Sequence, residues 1–317
     1  MLLSWAACAC LATVDLRAAD EPAAAATATN QAAESSGQKY LLRYKFEAGE
    51  TIRWEVVHQA QIRTTVSGTT QTAETLSKSI KVWQVASVDD QGQAVFVHSV
   101  ESVDMRQKLT GRQEARYNSL TDSSPPEGFA DVADAVGVPL ATITLDALGN
   151  VVRREHQRPK TSASAGMITV PLPDEPVAVG HEWLLPSDVQ VSLKQGGFKK
   201  IKTRQRFTLL EVQDGLATIR IETQILSPVR DPNIEAQLIQ TESNGTARFD
   251  ISAGRIVSQQ TDVDKRVHGA PNEASSLHCL TRFTEKLLPA TSQTAGAPQP
   301  AGPEPPPTAS SRRPSVR

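Results

Sequence analysis

The sequence predicts an all-β protein made of two tandem, duplicated antiparallel sheets, each curved strongly enough to form a half-barrel. Three observations predict it. First, a stretch opening Ala48-Gly49-Glu50-Thr51-Ile52-Arg53-Trp54 and closing Leu145-Asp146-Ala147-Leu148-Gly149-Asn150-Val151-Val152 recurs as Val179-Gly180-His181-Glu182-Trp183 through Phe249-Asp250-Ile251-Ser252-Ala253-Gly254-Arg255-Ile256-Val257. A period of roughly 110 to 130 residues is too long for a solenoid unit and suits a duplicated domain. Second, long runs of alternating or β-branched residues are separated by turn dipeptides. Third, helix signal is scarce.

In chain order, Met1 to Val14 is a short apolar run followed by Leu16-Arg17-Ala18-Ala19, where small residues offer a cleavage point. Residues 1–19 are therefore read as an export signal, which places the mature chain in the periplasm or at the cell surface. Trp5-Ala6-Ala7-Cys8 fits a lipoprotein signal poorly, so no lipid anchor is expected at Cys8 or Cys10. Residues 20–38 and 289–317 are rich in Ala, Thr, Ser and Pro, too poor in apolar side chains to offset chain entropy, and are expected to be disordered.

The first repeat occupies 39–156, with strands expected near 40–46, 51–66, 74–88, 93–105, 141–146 and 150–155. Asp89-Asp90-Gln91-Gly92 and Leu148-Gly149-Asn150 are its hairpin turns. A linker spans 157–178, and the second repeat spans 179–288, with strands near 182–194, 198–213, 215–227, 235–252, 255–264 and 276–286. Several of these strands exceed the usual length, and long twisted strands coil into bent sheets. One helix is expected near 126–137, where Phe129, Val132, Ala133 and Val136 share a face and Gly137 with Pro139 ends the turn. Phe129, Val132 and Val136 would lie on the concave face of the first sheet. No counterpart is evident in the second repeat, because Ser227 to Asn233 is short and Pro-rich.

A hydrophobic fraction of 39%, an aromatic fraction of 4% and a net charge of −2 supply no global field to recruit nucleic acid. Charge is instead local. Lys200, Lys202, Arg204 and Arg206 alternate on one face of an expected strand, with Lys194 and Lys199 at the preceding turn. Such a stripe suits an anionic partner, or is an outer solvated face balanced by Asp188 and Glu222. Nucleic acid is not expected, since no aromatics are interleaved for base stacking.

The chemistry searches return little. His58, His98, His156, His181, His268 and His278 show no ligand spacing, so no metal site and no cofactor are expected. Asp262 and Asp264 share a strand face and would at most hold a weak calcium ion. His278 and Cys279 are adjacent on a strand and point to opposite faces, so they do not form a nucleophile pair. The repeated Gly and Trp positions Gly49 to Trp54 and Gly180 to Trp183 read as packing residues of a duplicated scaffold.

At Leu42-Arg43-Tyr44-Lys45-Phe46-Glu47-Ala48-Gly49-Glu50, with Trp54 and the paired Asp-x-x-Gly hairpins, residues 40–288 resemble an uncharacterised family of exported bacterial proteins abundant in planctomycetes. Each half also resembles, in architecture, the periplasmic lipoprotein-carrier half-barrel, which implies a concave cavity for acyl chains. The resulting expectation is a non-catalytic exported envelope protein. It would hold a hydrophobic or amphipathic ligand, such as a lipid, against apolar strand residues including Ala217, Ile219, Ile221 and Ile225. The alternative is a module that meets an anionic envelope component through Lys199, Lys200, Lys202, Arg204 and Arg206.

Overall fold

The computed structural model describes residues 37–156, 168–270 and 272–290, so the expected export signal over 1–19, most of the 20–38 segment, the first part of the linker and the tail beyond Ala290 lie outside the described residues. Fourteen strands form the body: β1 Lys39–Tyr40, β2 Thr51–Val66, β3 Thr69–Val88, β4 Ala94–Leu109, β5 Ala115–Asn118, β6 Pro139–Leu145, β7 Val151–His156, β8 Val177–Ala178, β9 Glu182–Ser192, β10 Phe198–Gln213, β11 Leu216–Ile225, β12 Asn244–Asp250, β13 Arg255–His268 and β14 Ser275–Leu287. Two short helices, α1 Ala130–Ala135 and α2 Pro232–Leu238, interrupt them.

The strands order as β7-β6-β4-β3-β2-β14-β13-β12-β11-β10-β9, with β5 added beside β4, in one antiparallel sheet that is not closed. The two copies are therefore continuous: β14 of the second pairs with β2 of the first along Ser275↔Val66 to Leu287↔Trp54. Among the described residues, β7 and β9 end this order, and β5 lies on the β7 side of β4.

The duplication is visible in the backbone. The Gly49 amide donates to the Val85 carbonyl and the Val85 amide to the Glu50 carbonyl, while Gly180, Leu209 and His181 repeat the same exchange. This alignment corrects one sequence correspondence. Counting from the glycines, Trp183 matches Ile52, not Trp54, and each meets an aromatic across the ladder, Trp183 beside Phe207 and Ile52 beside Trp83.

Three further expectations need correction. Residues 40–46 are not a sheet strand: only Lys39–Tyr40 pairs, with Val177–Ala178. The helix expected over 126–137 is confined to Ala130–Ala135. The strand expected over 235–252 is helical in its first part, and its strand begins at Asn244. The helix α2 starts where the sequence looked too Pro-rich. Asp231 accepts a hydrogen bond from the Asn233 amide and Pro232 occupies the first turn, where a missing N–H costs nothing. A helix precedes the fourth long strand of each copy, α1 after β4 and the short β5 and α2 after β11, so α2 is the counterpart of α1.

Curvature follows from one segment. The Tyr44 amide donates to the Ala147 carbonyl at 2.8 Å and the next amide, Lys45, to the Gly254 carbonyl at 2.9 Å. Ala147 lies in the β6–β7 turn and Gly254 in the β12–β13 turn, five strand steps apart in the sheet. In a flat sheet those turns would be roughly 24 Å apart. A single extended chain spans them here, so the sheet is rolled and the face that carries Trp83 and Phe207 is concave.

The turns on either side of this segment are equivalent. Asp146 accepts from the Leu148 and Asn150 amides and Asp250 from the Ala253 amide, and Gly149 and Gly254 follow at φ +84 and +61. A Cβ on Gly254 would sit 2.5 to 2.7 Å from Lys45, its backbone nitrogen included. Replacing Gly254 by Ala is expected to lower unfolding free energy by about 2–4 kcal/mol, combining an unfavourable φ with a backbone clash. Gly68→Ala, at φ +83 with nothing within 4 Å, is expected to cost only about 1 kcal/mol. Urea melts of the two variants against the parent chain check the difference.

Candidate functional site

The concave face divides into a packed base and an open upper part. At the base of the second copy, Phe207, Leu209, Ala217, Ile219, Ile221, Ala247 and Phe249 are fully buried beneath Leu42, Tyr44, Val170 and Leu172. Ala217, Ile219 and Ile221 thus pack against the chain itself and do not line a ligand cavity, which corrects the sequence expectation. The first copy has its own cluster of Ile52, Trp54, Trp83, Val85, Phe96 and Ile143, and Phe46 packs against both.

Polar groups at the base are partnered across the junction of the copies. Lys81 forms an ion pair with Glu285, both largely buried, and its ammonium stands 4.5 Å from the Trp54 ring centre and 4.7 Å from that of Trp83. Two indole faces help compensate the lost hydration of the cation. Arg255 pairs with Glu50 at 3.0 Å. The Tyr44 hydroxyl donates to the Val170 carbonyl at 3.0 Å and accepts from its amide at 3.2 Å. Burial raises the Tyr44 pKa, against the opposing Val170 hydrogen bond, so this phenol stays protonated. The cavity between Lys81, Glu285 and the aromatic rings measures about 20 Å³, room for one water and no organic ligand.

Higher up, the two helices cover opposite flanks of the same face. Over β4 and β5, Phe129 is buried against Val103 and Tyr117, with Val132 and Val136 packed beside it. The expected helix residues thus meet the sheet as a small flank cluster and do not plug the concavity. On the other flank Ile234 and Leu238 cover Val189, Val191 and Ile201, and Ile239 packs with Val263, Val267 and Cys279.

Between the helices, the strand register turns inward a strip of β3, β2 and β14 that no described residue fully covers: Val56, packed beside the Trp54 cluster, then His58, Ala60, Ser77, Thr281 and Phe283, all half-buried or exposed. His58 is exposed, yet desolvation lowers its pKa. Solvent thus reaches the ring, and neighbouring protein removes part of its hydration. Sequence reading missed this strip, because β2 and β14 are more than two hundred positions apart and only their pairing aligns the residues.

The basic residues are distributed differently. Lys200, Lys202, Arg204 and Arg206 share the outer, convex face. Arg206 pairs with Glu222 at 2.7 Å, Arg204 donates to Gln224, and Lys202 stands opposite Asp188. Lys199 is within β10 and faces the other side, beside Val191. No group of three or more His, Cys, Asp or Glu suited to a metal ion occurs among the described residues. Asp262 is paired with Arg282 and Asp264 with His278, while Cys279 is buried on the opposite face.

His98 lies across the ladder from Trp83 on the concave face. Its pKa is lowered to about 4 by burial first, then by Lys81 and Arg154, against a hydrogen bond to Val82.

No family model matches the chain, and no curated protein matches its sequence. Among solved structures, lipovitellin, from a study of its lipid-protein interactions, is similar at a TM-score of 0.43 and 11% identity over 78% of this chain. This chain spans 26% of that one. OpdQ of Pseudomonas aeruginosa gives 0.21 at 9% identity, over 75% of this chain and 99% of its own, and OccK7 (OpdD) of the same organism 0.19 at 7%, over 75% and 98%.

Removing one partner of the junction pair strands the other charge. Lys81→Ala is expected to destabilise by roughly 3–5 kcal/mol, whereas Lys81→Met with Glu285→Leu recovers most of that loss. Denaturant melts of the single and double variants check it. Protonating His98 favours the unfolded chain, because its folded pKa lies below the unfolded value. Stability is thus complete above pH 6.5 and falls as pH drops toward about 4, by roughly 3 kcal/mol. His98→Gln should flatten that part of a pH-dependent melting series, leaving the smaller slope of His58. The Asp231, Asp250 and Asp262 carboxyls have lowered pKa values and contribute at still lower pH.

Proposed function

We propose that the protein is a non-catalytic exported envelope protein that binds an elongated amphipathic ligand along the partly covered strip of its concave face. The observation that carries this reading is the strip itself. Its floor is a line of small and apolar side chains, Val56, Ala60 and Phe283 among them, that solvent reaches although helices flank it. Phe283 and Val56 are already half-buried, so covering the rest of them with an aliphatic chain would contribute about 1 kcal/mol each. His58, Ser77 and Thr281 offer hydrogen bonds to a polar group. The base below is filled by side chains, so a ligand lies in the upper half only. The reading also fits the export signal and the carrier-like half-barrel that the sequence implies.

A dansyl-labelled undecanoic acid is the probe. Saturable binding to the full chain is expected, with emission shifted to the blue. Ala60→Trp, which fills the strip, should weaken it at least tenfold, whereas Ile219→Val, in the packed base, should leave it unchanged. Absence of saturable uptake, or equal uptake by Ala60→Trp, would sink the proposal.

A further inference from the structure

The hairpin between β9 and β10 ends in a tip that neither the packed base nor the strip explains. Leu193 and Phe198 flank its Lys194-Gln195-Gly196-Gly197 turn and are 38% and 74% exposed. Lys194, Lys199 and Lys200 are exposed around them. Beside the hairpin, against the start of α2, an open groove of about 290 Å³ has a floor of Ile201, Val229 and Ile234 and a rim bearing Lys199 and Arg230. Asp231 also lines it, with its carboxylate engaged by the Asn233 amide and side chain.

Charge along β10 is graded. Toward the base, Arg206 is paired with Glu222 and Glu182, Arg204 with Gln224, and Lys202 faces Asp188. Toward the tip, Lys200 faces Gln190 and Lys199 faces Val191, so no acid stands opposite either. Positive charge thus gathers where the exposed phenyl and isobutyl groups stand, with Lys194, Lys199, Lys200 and Arg230 outnumbering the nearby Asp231 carboxylate.

We propose that this tip docks the protein on a bilayer with anionic headgroups. Leu193 and Phe198 enter the interfacial layer, while Lys194, Lys199, Lys200 and Arg230 meet the headgroup charges. A basic rim around apolar side chains matches the layered chemistry of a membrane surface, and the two contributions add. An acidic polymer would satisfy the lysines and leave Phe198 in water. The docking is independent of the ligand strip, whose residues lie elsewhere on the sheet.

The test is cosedimentation of the full chain with vesicles of phosphatidylcholine, alone or mixed with phosphatidylglycerol. Binding is expected to the anionic vesicles only and to fall at high salt. Lys194→Glu/Lys199→Glu/Lys200→Glu should weaken it by roughly a hundredfold or more, and Leu193→Ser/Phe198→Ser by at least about tenfold. All five side chains are exposed, and circular dichroism verifies that the variants keep the fold. In Phe198→Trp, fluorescence quenching by brominated lipid should report insertion. Equal binding to neutral vesicles, unchanged binding by the variants, an unquenched tryptophan, or retention on an acidic polysaccharide without vesicle binding would each overturn the proposal. Dansyl-undecanoate titration of the same variants is expected to match the parent chain, which separates a failure here from a failure of the ligand reading.

Discussion

Two consecutive amides, those of Tyr44 and Lys45, hold the architecture in its rolled form. An extended backbone points successive N–H groups to opposite sides, so one residue step suffices to bind the β6–β7 turn on one side and the β12–β13 turn on the other. The sheet between those turns has no choice but to bend. Glycine at both turns is the steric condition for this, because a Cβ on Gly149 would meet the Tyr44 ring at 2.4 Å and one on Gly254 would meet Lys45. The duplicated glycines thus serve a joint purpose that neither copy has alone.

From that clamp the division of the concave face follows. Below it, the aromatic side chains of the clamp segment, Tyr44 and Phe46, complete both apolar clusters, and the junction is reinforced by Lys81 with Glu285 and Arg255 with Glu50. Above it, among the described residues, cover comes from α1 on one flank and from α2 with the turn after it on the other, the latter reaching as far as Cys279 and Ile62. The stretch of the middle strands around His58, Ala60, Thr281 and Phe283, between those two covers, stays half-buried or exposed.

What was legible in the sequence was local. Alternation located β2, β9, β10 and β13 well, and Asp with Gly marked the turns, because turn chemistry depends on neighbours in the chain. The segment at 40–46 looked like a strand since its residues alternate, but its hydrogen bonds go to two turns over a hundred positions away. The start of α2 was hidden by Pro232, which reads as a breaker unless Asp231 before it is recognised as a cap. The role of Lys81 was invisible for a different reason: Trp54 meets it across the β2–β3 pairing, but Glu285 arrives only when β14 pairs with β2. The repeat itself misleads at Trp183, because the shared Gly suggests a shared Trp, whereas backbone register aligns that residue with Ile52.

An open sheet of this width carries two unpaired borders, and each is a template onto which another chain could add. The β9 border contains Pro186, tolerated in a strand where the missing N–H would face outward, so an incoming strand finds a gap in the donors it needs. The β7 border is only six residues long and displays Arg153, Arg154 and Glu155 in succession. Such residues bear on the colloidal behaviour of the molecule, since a proline gap and clustered charge both disfavour strand-on-strand growth at a sheet border.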